Sequence, residues 1–227
     1  SEESVKDEGQ LLCAQDDDLQ GALERLGYVY PYAEATTMPG KVASSSLDRL
    51  YFDDSGEDYS VPSLAEEQRK LTGTAYHMLY QFIDLGGSDI KEKLEQLVAL
   101  GRIDGVTASQ IDTQLIMRTL SDKKFRKLFE GGRIYREQPF MLNVNGREIG
   151  LNSDETIVLQ GIIDLLAIYD GYANVVDFKY TKNFSNIEKN YKSQLESYRL
   201  AVRKITGIQD VRCYVLSIAD DKLVSFQ

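Results

Sequence analysis

The sequence predicts an α+β fold in which helices flank a mixed β-sheet. Apolar residues recur at helical spacing over about 64–132, and the period changes to strand-like alternation from Arg133 onward. The order of helices, several strands, a helix and further strands is typical of a mixed sheet. We therefore expect a domain over 38–227 with a sheet core at about 133–227, a helical insertion between its first helix and its sheet, and a linker or peripheral segment over 1–37.

Composition restricts the class of protein. A chain of 227 residues can bury one good core, or one core plus a small accessory subdomain. The formal net charge of −10 argues against DNA binding driven mainly by bulk electrostatics, although it does not exclude DNA as a ligand. No apolar run could span a membrane and no signal pattern opens the chain, so we expect a cytoplasmic protein with no membrane association.

The sequence argues against two kinds of cofactor site, an iron–sulfur cluster and a nucleotide site. Cys13 and Cys213 fit no metal or cluster spacing, which argues against an iron–sulfur cluster. No GxxxxGK motif occurs, so we expect no nucleotide site in this chain. The chain begins at Ser1 rather than Met, which suggests a processed chain or a fragment of a longer protein.

The helical part should contain one long helix and several shorter ones. The long helix is expected from Thr72 to Leu85, with Tyr76, Leu79 and Tyr80 in its buried stripe. The sequence Thr107-Ala-Ser-Gln110 resembles a capping box that opens a helix through Leu120. The other expectations are helices at Asp18–Leu26, Ser44–Leu50, Ser88–Leu100 and Ser121–Glu130 and a polar connection at Asp53–Pro62.

The sheet part should open with two hairpins. Asn145-Gly146 is a strong hairpin signal between Arg133–Val144 and a returning strand at Arg147–Gly150. The next pair of strands is expected on either side of Asp170-Gly171. The expected elements from there are strands at Thr156–Tyr169 and Tyr172–Tyr180, a helix at Ile187–Ile205, and strands at Val211–Ile218 and Leu223–Phe226.

The second hairpin brings two acids together. Asp170-Gly171 is favoured in two-residue type I′ turns, which places Tyr169 opposite Tyr172. Continuing this register places Asp164 opposite Asp177 on one face of the sheet. We therefore expect two carboxylates about 5 Å apart at the Cβ atoms.

These facing acids predict a metal site. Two carboxylates repel one another unless positive charge lies between them, and carboxylate and carbonyl oxygens are the ligands of Mg²⁺ or Mn²⁺. Lys179, two residues after Asp177, points to the same face and is left free to act on a water or a phosphate. Alternatively, Asp164 and Asp177 are solvent-facing and Lys179 is their salt-bridge partner. Because Asp is depleted in strands and opposed like charges cost stability, we favour the metal site.

Basic residues gather just after the acidic pair, as a phosphodiester substrate would require. The alternative is a solvated helix face. This basic strip consists of Lys179, Lys182, Lys189, Lys192, Arg199, Arg203 and Lys204.

Three motifs in the sheet part resemble the PD-(D/E)xK nuclease superfamily in its RecB-like exonuclease branch. They are Gly161-Ile-Ile-Asp164, Val176-Asp177-Phe178-Lys179 and Gln194-Leu-Glu-Ser-Tyr198, and the upstream segments Gly73-Thr-Ala-Tyr-His77 and Arg136-Glu137-Gln-Pro-Phe140 are similar to further parts of that branch. The resemblance implies a restriction-endonuclease-like core. It also implies DNA cleavage dependent on Mg²⁺, with Mn²⁺ as a substitute, in a bacterial helicase–nuclease of double-strand break repair and recombination.

The resemblance also implies roles for single residues. The catalytic residues would be Lys179, Asp164 and Asp177. The metal would be held by His77, Asp164, Asp177 and the carbonyl of Phe178, with Glu137 as an outer ligand or a strand-edge residue. The substrate side would be formed by Gln194, Tyr198, Lys182 and Tyr191. From spacing alone, His77 could be an ordinary boundary residue and Tyr198 a core residue. The implied partners are DNA fed as a single strand, the helicase portion of the same parent polypeptide, and a second subunit.

Two alternatives stay open. One is a catalytically inactive DNA-binding or scaffold module with the same fold, against which the retained Asp164, Asp177 and Lys179 argue. The other is a stand-alone nuclease of the CRISPR-associated type, which would bring four cluster cysteines that this chain lacks.

Overall fold

The computed structural model describes residues 39–47, 63–87, 89–181 and 187–226, with the side chains of 187–189 excepted. The expected helix at Asp18–Leu26 and the polar connection at Asp53–Pro62 lie outside these ranges. None of the described helices is long and apolar enough to cross a lipid bilayer.

The described part of the chain forms six α-helices and six strands. In chain order they are β1 (Lys41–Ala43), a 3₁₀ turn (Ser44–Ser46), α1 (Leu64–Phe82), α2 (Ile90–Ala99), α3 (Gly105–Ser109), α4 (Thr113–Ser121), α5 (Lys123–Arg126), β2 (Arg133–Asn145), a second 3₁₀ turn (Gly146–Ile149), β3 (Thr156–Ile168), β4 (Tyr172–Lys179), α6 (Ile187–Thr206), β5 (Asp210–Ser217) and β6 (Lys222–Phe226).

The strands form one mixed sheet, which confirms the predicted α+β class. Its order is β1-β3-β4-β5-β6, with β2 paired to β3 as well. The pairs β1–β3 and β4–β5 are parallel and the others antiparallel. Because β2 pairs with β3 along 156–168, β1 and β4 must share the opposite edge of β3. The strand β1 pairs with residues 158–160 of β3, and β4 pairs with residues 165–168. Residues 161–164 of β3 therefore lie in the gap between β1 and β4.

The start of α1 was predicted too late. The helix begins after Ser63, whose side chain accepts from the Glu66 N–H while the Glu66 carboxylate accepts from the Ser63 N–H, a complete capping box. The predicted stripe is correct, since Tyr76, Leu79 and Tyr80 are buried.

Asp104 and Asp112, rather than Thr107, begin the helices of the insertion. Asp104 accepts from the Thr107 N–H at the start of α3, and Asp112 caps α4. Thr107 therefore lies inside a short helix, and the expected continuous helix through Leu120 is wrong. A carboxylate at each N-cap accepts an orphan N–H, so the chain starts a new helix at each.

The hairpin expected at Asn145-Gly146 is also wrong. The Asn145 side chain accepts from the Arg147 N–H, and the Glu148 carboxylate accepts from the Asn145 N–H. This capping box favours a 3₁₀ turn over 146–149, and the strand returns only at Thr156.

The hairpin at Asp170-Gly171 is confirmed. Ala167 is paired with Asn174, and the Tyr169 N–H donates to the Tyr172 carbonyl at 2.9 Å. Gly171 has φ +86° but Asp170 does not have positive φ, whereas a type I′ turn requires positive φ at both residues. The predicted register is right, although the turn is of another type.

The sheet separates two packed layers. Leu165 and Phe178 belong to a core with α1–α5, whereas Leu166 lines a cavity with Ala201 and Val202 of α6. Ile163 lines the same cavity as Leu166, three residues away. An uninterrupted strand would put residues an odd number apart on opposite faces. The side chains of β3 therefore exchange faces between Ile163 and Leu165.

Candidate active site

Three acids occupy one row across the strands at this exchange of faces. Asp164 is the register partner of Glu137, because the flanking pairs on β2 and β3 are 136 with 165 and 138 with 163. On the other side, pairing with β4 ends at Leu165–Val176, so Asp177 is the next register partner of Asp164. Both ladders lack backbone pairing at Asp164, which leaves this row open to side-chain chemistry.

The backbone of Glu137 explains why the ladder is interrupted. Its φ is +47°, a left-handed conformation that costs a non-glycine residue about 1–2 kcal/mol. The side chains of β2 exchange faces here as they do on β3, since Tyr135 and Gln138 line one cavity. The register is kept because both strands are interrupted at the same row. Sequence alternation alone could not reveal this paired interruption.

His77 reaches the same row from α1. Its Nδ1 lies 3.6 Å from Oδ1 of Asp164, and its ring packs edge-on against Phe178 with centroids 6.0 Å apart. Burial lowers the pKa of His77, but the nearby carboxylates of Asp164 and, to a smaller extent, Asp177 together raise it more, so the net pKa is above its ordinary value. His77 is thus not a plain boundary residue.

Asp164 is held by both of its oxygens. Oδ2 accepts a hydrogen bond from the Phe178 backbone N–H at 2.6 Å, and Oδ1 faces His77. Its side chain is 10% exposed, so Asp164 is not the solvent-facing acid of the simple salt-bridge interpretation. Phe178 therefore orients Asp164 through its N–H.

Asp177 and Lys179 form a buried pair beside it. The Lys179 ammonium donates to Oδ1 at 3.0 Å and lies 2.8 Å from Oδ2, while the Asp177 side chain is only 1% exposed. Burial raises the pKa of Asp177, and Asp164 adds to this, while Lys179 opposes it. Burial lowers the pKa of Lys179, but Asp177 raises it more. The net upward shift favours the protonated ammonium.

The helix α6 places its motif against Asp177. The Gln194 amide donates to Oδ1 of Asp177 at 3.3 Å and to the Tyr198 hydroxyl at 2.7 Å. Lys179 lies over the Tyr191 ring, 4.9 Å from its centroid. Burial raises the pKa of Tyr198. Because Tyr198 is buried and its hydroxyl accepts from Gln194, it supports Gln194 from the core side.

Gly161 allows the close packing at the gap between β1 and β4. A Cβ there would clash with the Ser44 hydroxyl and lie 2.7 Å from the Phe140 ring, which packs edge-on against Tyr198. Ser44 follows β1 and was not predicted to lie near the site. The glycine of the Gly161–Asp164 motif was the signal, because it indicates a close approach.

The donor set fits a divalent cation. One ligand atom each from His77, Glu137 and Asp164 can be chosen so that all lie within 4.8 Å of one another. Oδ2 of Asp177 is buried and accepts no hydrogen bond from the described residues, despite the nearby ammonium. Asp177 is not part of the three-residue cluster. One imidazole with carboxylate oxygens suits Mg²⁺ or Mn²⁺. Burial raises the pKa of Glu137, and the negative charge of Asp164 raises it further.

The basic strip is less available than expected. Arg199 is buried and donates to the Val211 and Phe226 carbonyls, and Lys204 pairs with Glu148 at 2.7 Å. Lys182 lies outside the described residues, as does the Lys189 side chain. The structure therefore brings together His77, Glu137, Asp164, Asp177, Phe178, Lys179, Tyr191, Gln194 and Tyr198.

The chain belongs to the PD-(D/E)XK nuclease superfamily, whose family model matches residues 49–225. Among curated proteins, it is 28% identical over 227 residues to the A subunit of the ATP-dependent helicase/nuclease of Acetivibrio thermocellus, covering 89% of this chain and 18% of that protein. The protein of the same name in Clostridium botulinum strain Alaska E43 is 28% identical over 232 residues, covering 87% of this chain and 19% of its own length. The recognised resemblance is confirmed.

The chain thus spans about a fifth of the length of these relatives. A solved structure, the crystal structure of SSO0001, is 12% identical with a TM-score of 0.32, covering 94% of this chain and 77% of that one. A TM-score this low supports no argument about fold or function.

Proposed function

We propose that the chain is a metal-dependent nuclease domain that hydrolyses DNA phosphodiester bonds as an exonuclease. Its parent protein would be the AddA-type subunit of a bacterial AddAB (RexAB) helicase–nuclease, acting in the cytoplasm in double-strand break repair and recombination. Family membership and the names of the relatives support this proposal. The partners would be DNA, the helicase portion of the same polypeptide and an AddB/RexB-type subunit, and the nuclease domain would span 38–227.

The observation that carries the proposal is the convergence of His77, Glu137 and Asp164 from three separate elements. The two carboxylates of this cluster repel one another, and a protonated His77 is the one compensating positive charge that the cluster itself offers. The ammonium of Lys179 is engaged by Asp177. A divalent ion would satisfy the cluster, and the buried Oδ2 of Asp177 offers it a further acceptor.

Mg²⁺ is the expected metal, with Mn²⁺ as a substitute, held by His77, Asp164 and Asp177, by the Phe178 carbonyl, and by Glu137 directly or through water. When bound, it would supply Lewis-acid stabilisation of the charge that builds on the phosphoryl oxygens. Asp164 and His77 orient one another, and the Phe178 N–H fixes Asp164.

Lys179 supplies a positive charge beside this site. Its side chain is 20% exposed, so a substrate can reach the ammonium, whose position is fixed by Asp177 and the Tyr191 ring. As an ammonium it donates to, and does not take a proton from, an attacking water, and it stabilises the pentavalent phosphoryl group. Gln194 holds Asp177 in place, and Tyr198 holds Gln194. We propose that Tyr191 and Lys182 face the substrate and that the buried Gln194 and Tyr198 support this substrate side from beneath.

A cleavage assay on the 227-residue chain tests the proposal. Linear and circular single-stranded DNA would be incubated with Mg²⁺, Mn²⁺ or EDTA, with Asp164→Asn as the matched variant. We expect cleavage of the linear strand only, dependent on metal and abolished in the variant. Cleavage of the circular strand would show that the domain is an endonuclease rather than an exonuclease. Retained DNA binding without cleavage under all conditions would favour the inactive scaffold module.

A further inference from the structure

Arg136 ties the end of helix α1 to strand β2. Its Nη1 donates to the carbonyls of Ile83 at 2.6 Å, Gln81 at 2.9 Å and Tyr80 at 3.3 Å. Carbonyls at a helix C-terminus have no partner within the helix and carry the negative end of its dipole. The half-buried guanidinium therefore closes this helix end with its charge.

Residues on both sides of this contact adjoin the cluster of His77, Glu137 and Asp164. On β2, the residue after Arg136 is Glu137, whose backbone is in the left-handed conformation. On α1, Tyr80 and Gln81 follow His77 by about one turn. Across the sheet, Arg136 is paired with Leu165, the neighbour of Asp164.

A second link between the same two elements is weaker. Glu137 and His77 belong to the same cluster and attract one another electrostatically, but no hydrogen bond joins them among the described residues. Without a bound cation, Arg136 therefore contributes the direct hydrogen bonds that keep β2 against the end of α1.

We propose that Arg136 is a positioning residue that holds His77 and Glu137 at the separation one divalent cation requires. This inference rests on the proposed metal-dependent function. A guanidinium suits the task because its rigid plane fixes the position of Nη1, which makes all three bonds, whereas the lysine ammonium is a point charge on a flexible stem. Residues that orient metal ligands typically change metal affinity by about 10- to 100-fold when replaced.

Calorimetric Mn²⁺ titration of the full chain, without DNA, tests this role. We expect Arg136→Ala to weaken Mn²⁺ binding about tenfold, and Arg136→Lys to weaken it less. Arg133→Ala is the matched control, because Arg133 is an exposed arginine on the same strand. It should bind Mn²⁺ as the wild type does. In cleavage assays, saturating Mn²⁺ should restore kcat of Arg136→Ala, with KM for DNA unchanged.

The alternatives give distinct results. Wild-type Mn²⁺ affinity in folded Arg136→Ala, or an equal loss in Arg133→Ala, overturns the role of Arg136. If Arg136→Ala does not fold, Arg136→Lys decides: weakened affinity at an unchanged Tm supports the role, and unchanged affinity overturns it. Wild-type protein that binds Mn²⁺ but cleaves no DNA would overturn the nuclease proposal alone. Absence of Mn²⁺ binding in the wild type overturns both.

Discussion

His77 of α1 and Asp164 of β3 face each other with 3.6 Å between Nδ1 and Oδ1, and this contact governs the protonation of His77. Because Asp164 and Asp177 together outweigh burial, the pKa of His77 should lie above its ordinary value in the metal-free protein. Asp164→Asn removes the charge but keeps the burial, so the pKa of His77 should fall. As His77 is the only histidine of the chain, its imidazole proton resonance reports the titration directly.

The control for this titration is Asp154→Asn, which removes an exposed acid paired with Arg147. It should leave the pKa of His77 unchanged. A histidine must be deprotonated to bind a metal, so saturating Mg²⁺ should lower the apparent pKa of His77 in the wild type. A pKa unaffected both by Mg²⁺ and by Asp164→Asn would remove His77 from the site.

Lys179 and Asp177 should differ in what their loss does to the metal. Lys179→Ala is expected to reduce cleavage roughly 100-fold or more while Mn²⁺ binding stays largely intact, because its ammonium acts on the reacting groups. Asp177→Ala should lose both cleavage and Mn²⁺ binding, because it removes a proposed metal ligand. Calorimetry and the cleavage assay separate the two effects.

Lys91 provides the comparison for Lys179, since it is an exposed lysine on α2. Lys91→Ala should cleave normally. An exposed ion pair contributes under about 1 kcal/mol, so near-wild-type cleavage by Lys179→Ala would mean that the lysine only balances charge. The inactive scaffold module would then be the better account.

Gly161 should tolerate no side chain. In Gly161→Ala the new methyl group meets the Ser44 hydroxyl and the Phe140 ring, and overpacking of this kind costs about 1–3 kcal/mol. Urea unfolding measures the loss. Gly105→Ala is the counterpart, because nothing lies within 4 Å of a Cβ at that position. Equal stability of the two variants would show that the gap between β1 and β4 can widen freely.

Glu137 should show a conflict between stability and metal binding. With φ at +47°, Glu137→Gly should be more stable than Glu137→Ala by about 1 kcal/mol, since glycine adopts this conformation freely. Both variants should bind Mn²⁺ more weakly than the wild type. Chemical denaturation and calorimetry provide the two measurements.

At Asn143, an exposed position of β2 without positive φ, the order should reverse and alanine should be the more stable substitution. The same order at both positions would mean that the left-handed conformation of Glu137 carries no cost.

Sequence reasoning reached the fold class and the central hairpin because both depend on local signals. The Asp170-Gly171 turn determined the register that leads to Asp164 and Asp177. The roles of the proposed site residues remain predictions. That His77 reaches the site was predicted from its off-stripe position together with the resemblance, because helix spacing shows which face His77 occupies but not what packs against it.

Other features had no local signal strong enough to predict them. The support of α1 by Arg136 depends on tertiary packing, and nothing in Arg136-Glu137 marks a left-handed backbone. Asn145-Gly146 gave a strong but misleading signal, because the side chain of Glu148 stabilised a competing turn. At Asn145 the local propensity was overridden because a neighbouring side chain could bond the backbone.

The exchange of faces at Asp164 limits how the length of this domain can change. A residue deleted from β3 before Asp164 would turn Ile157, Leu159 and Ile163 from one hydrophobic layer toward the other. A deletion in β2 alone would separate Glu137 from Asp164 by one row. Only matched changes in both strands keep the acids aligned, so natural insertions and deletions should collect in connections such as 146–155 and leave these two strands constant in length.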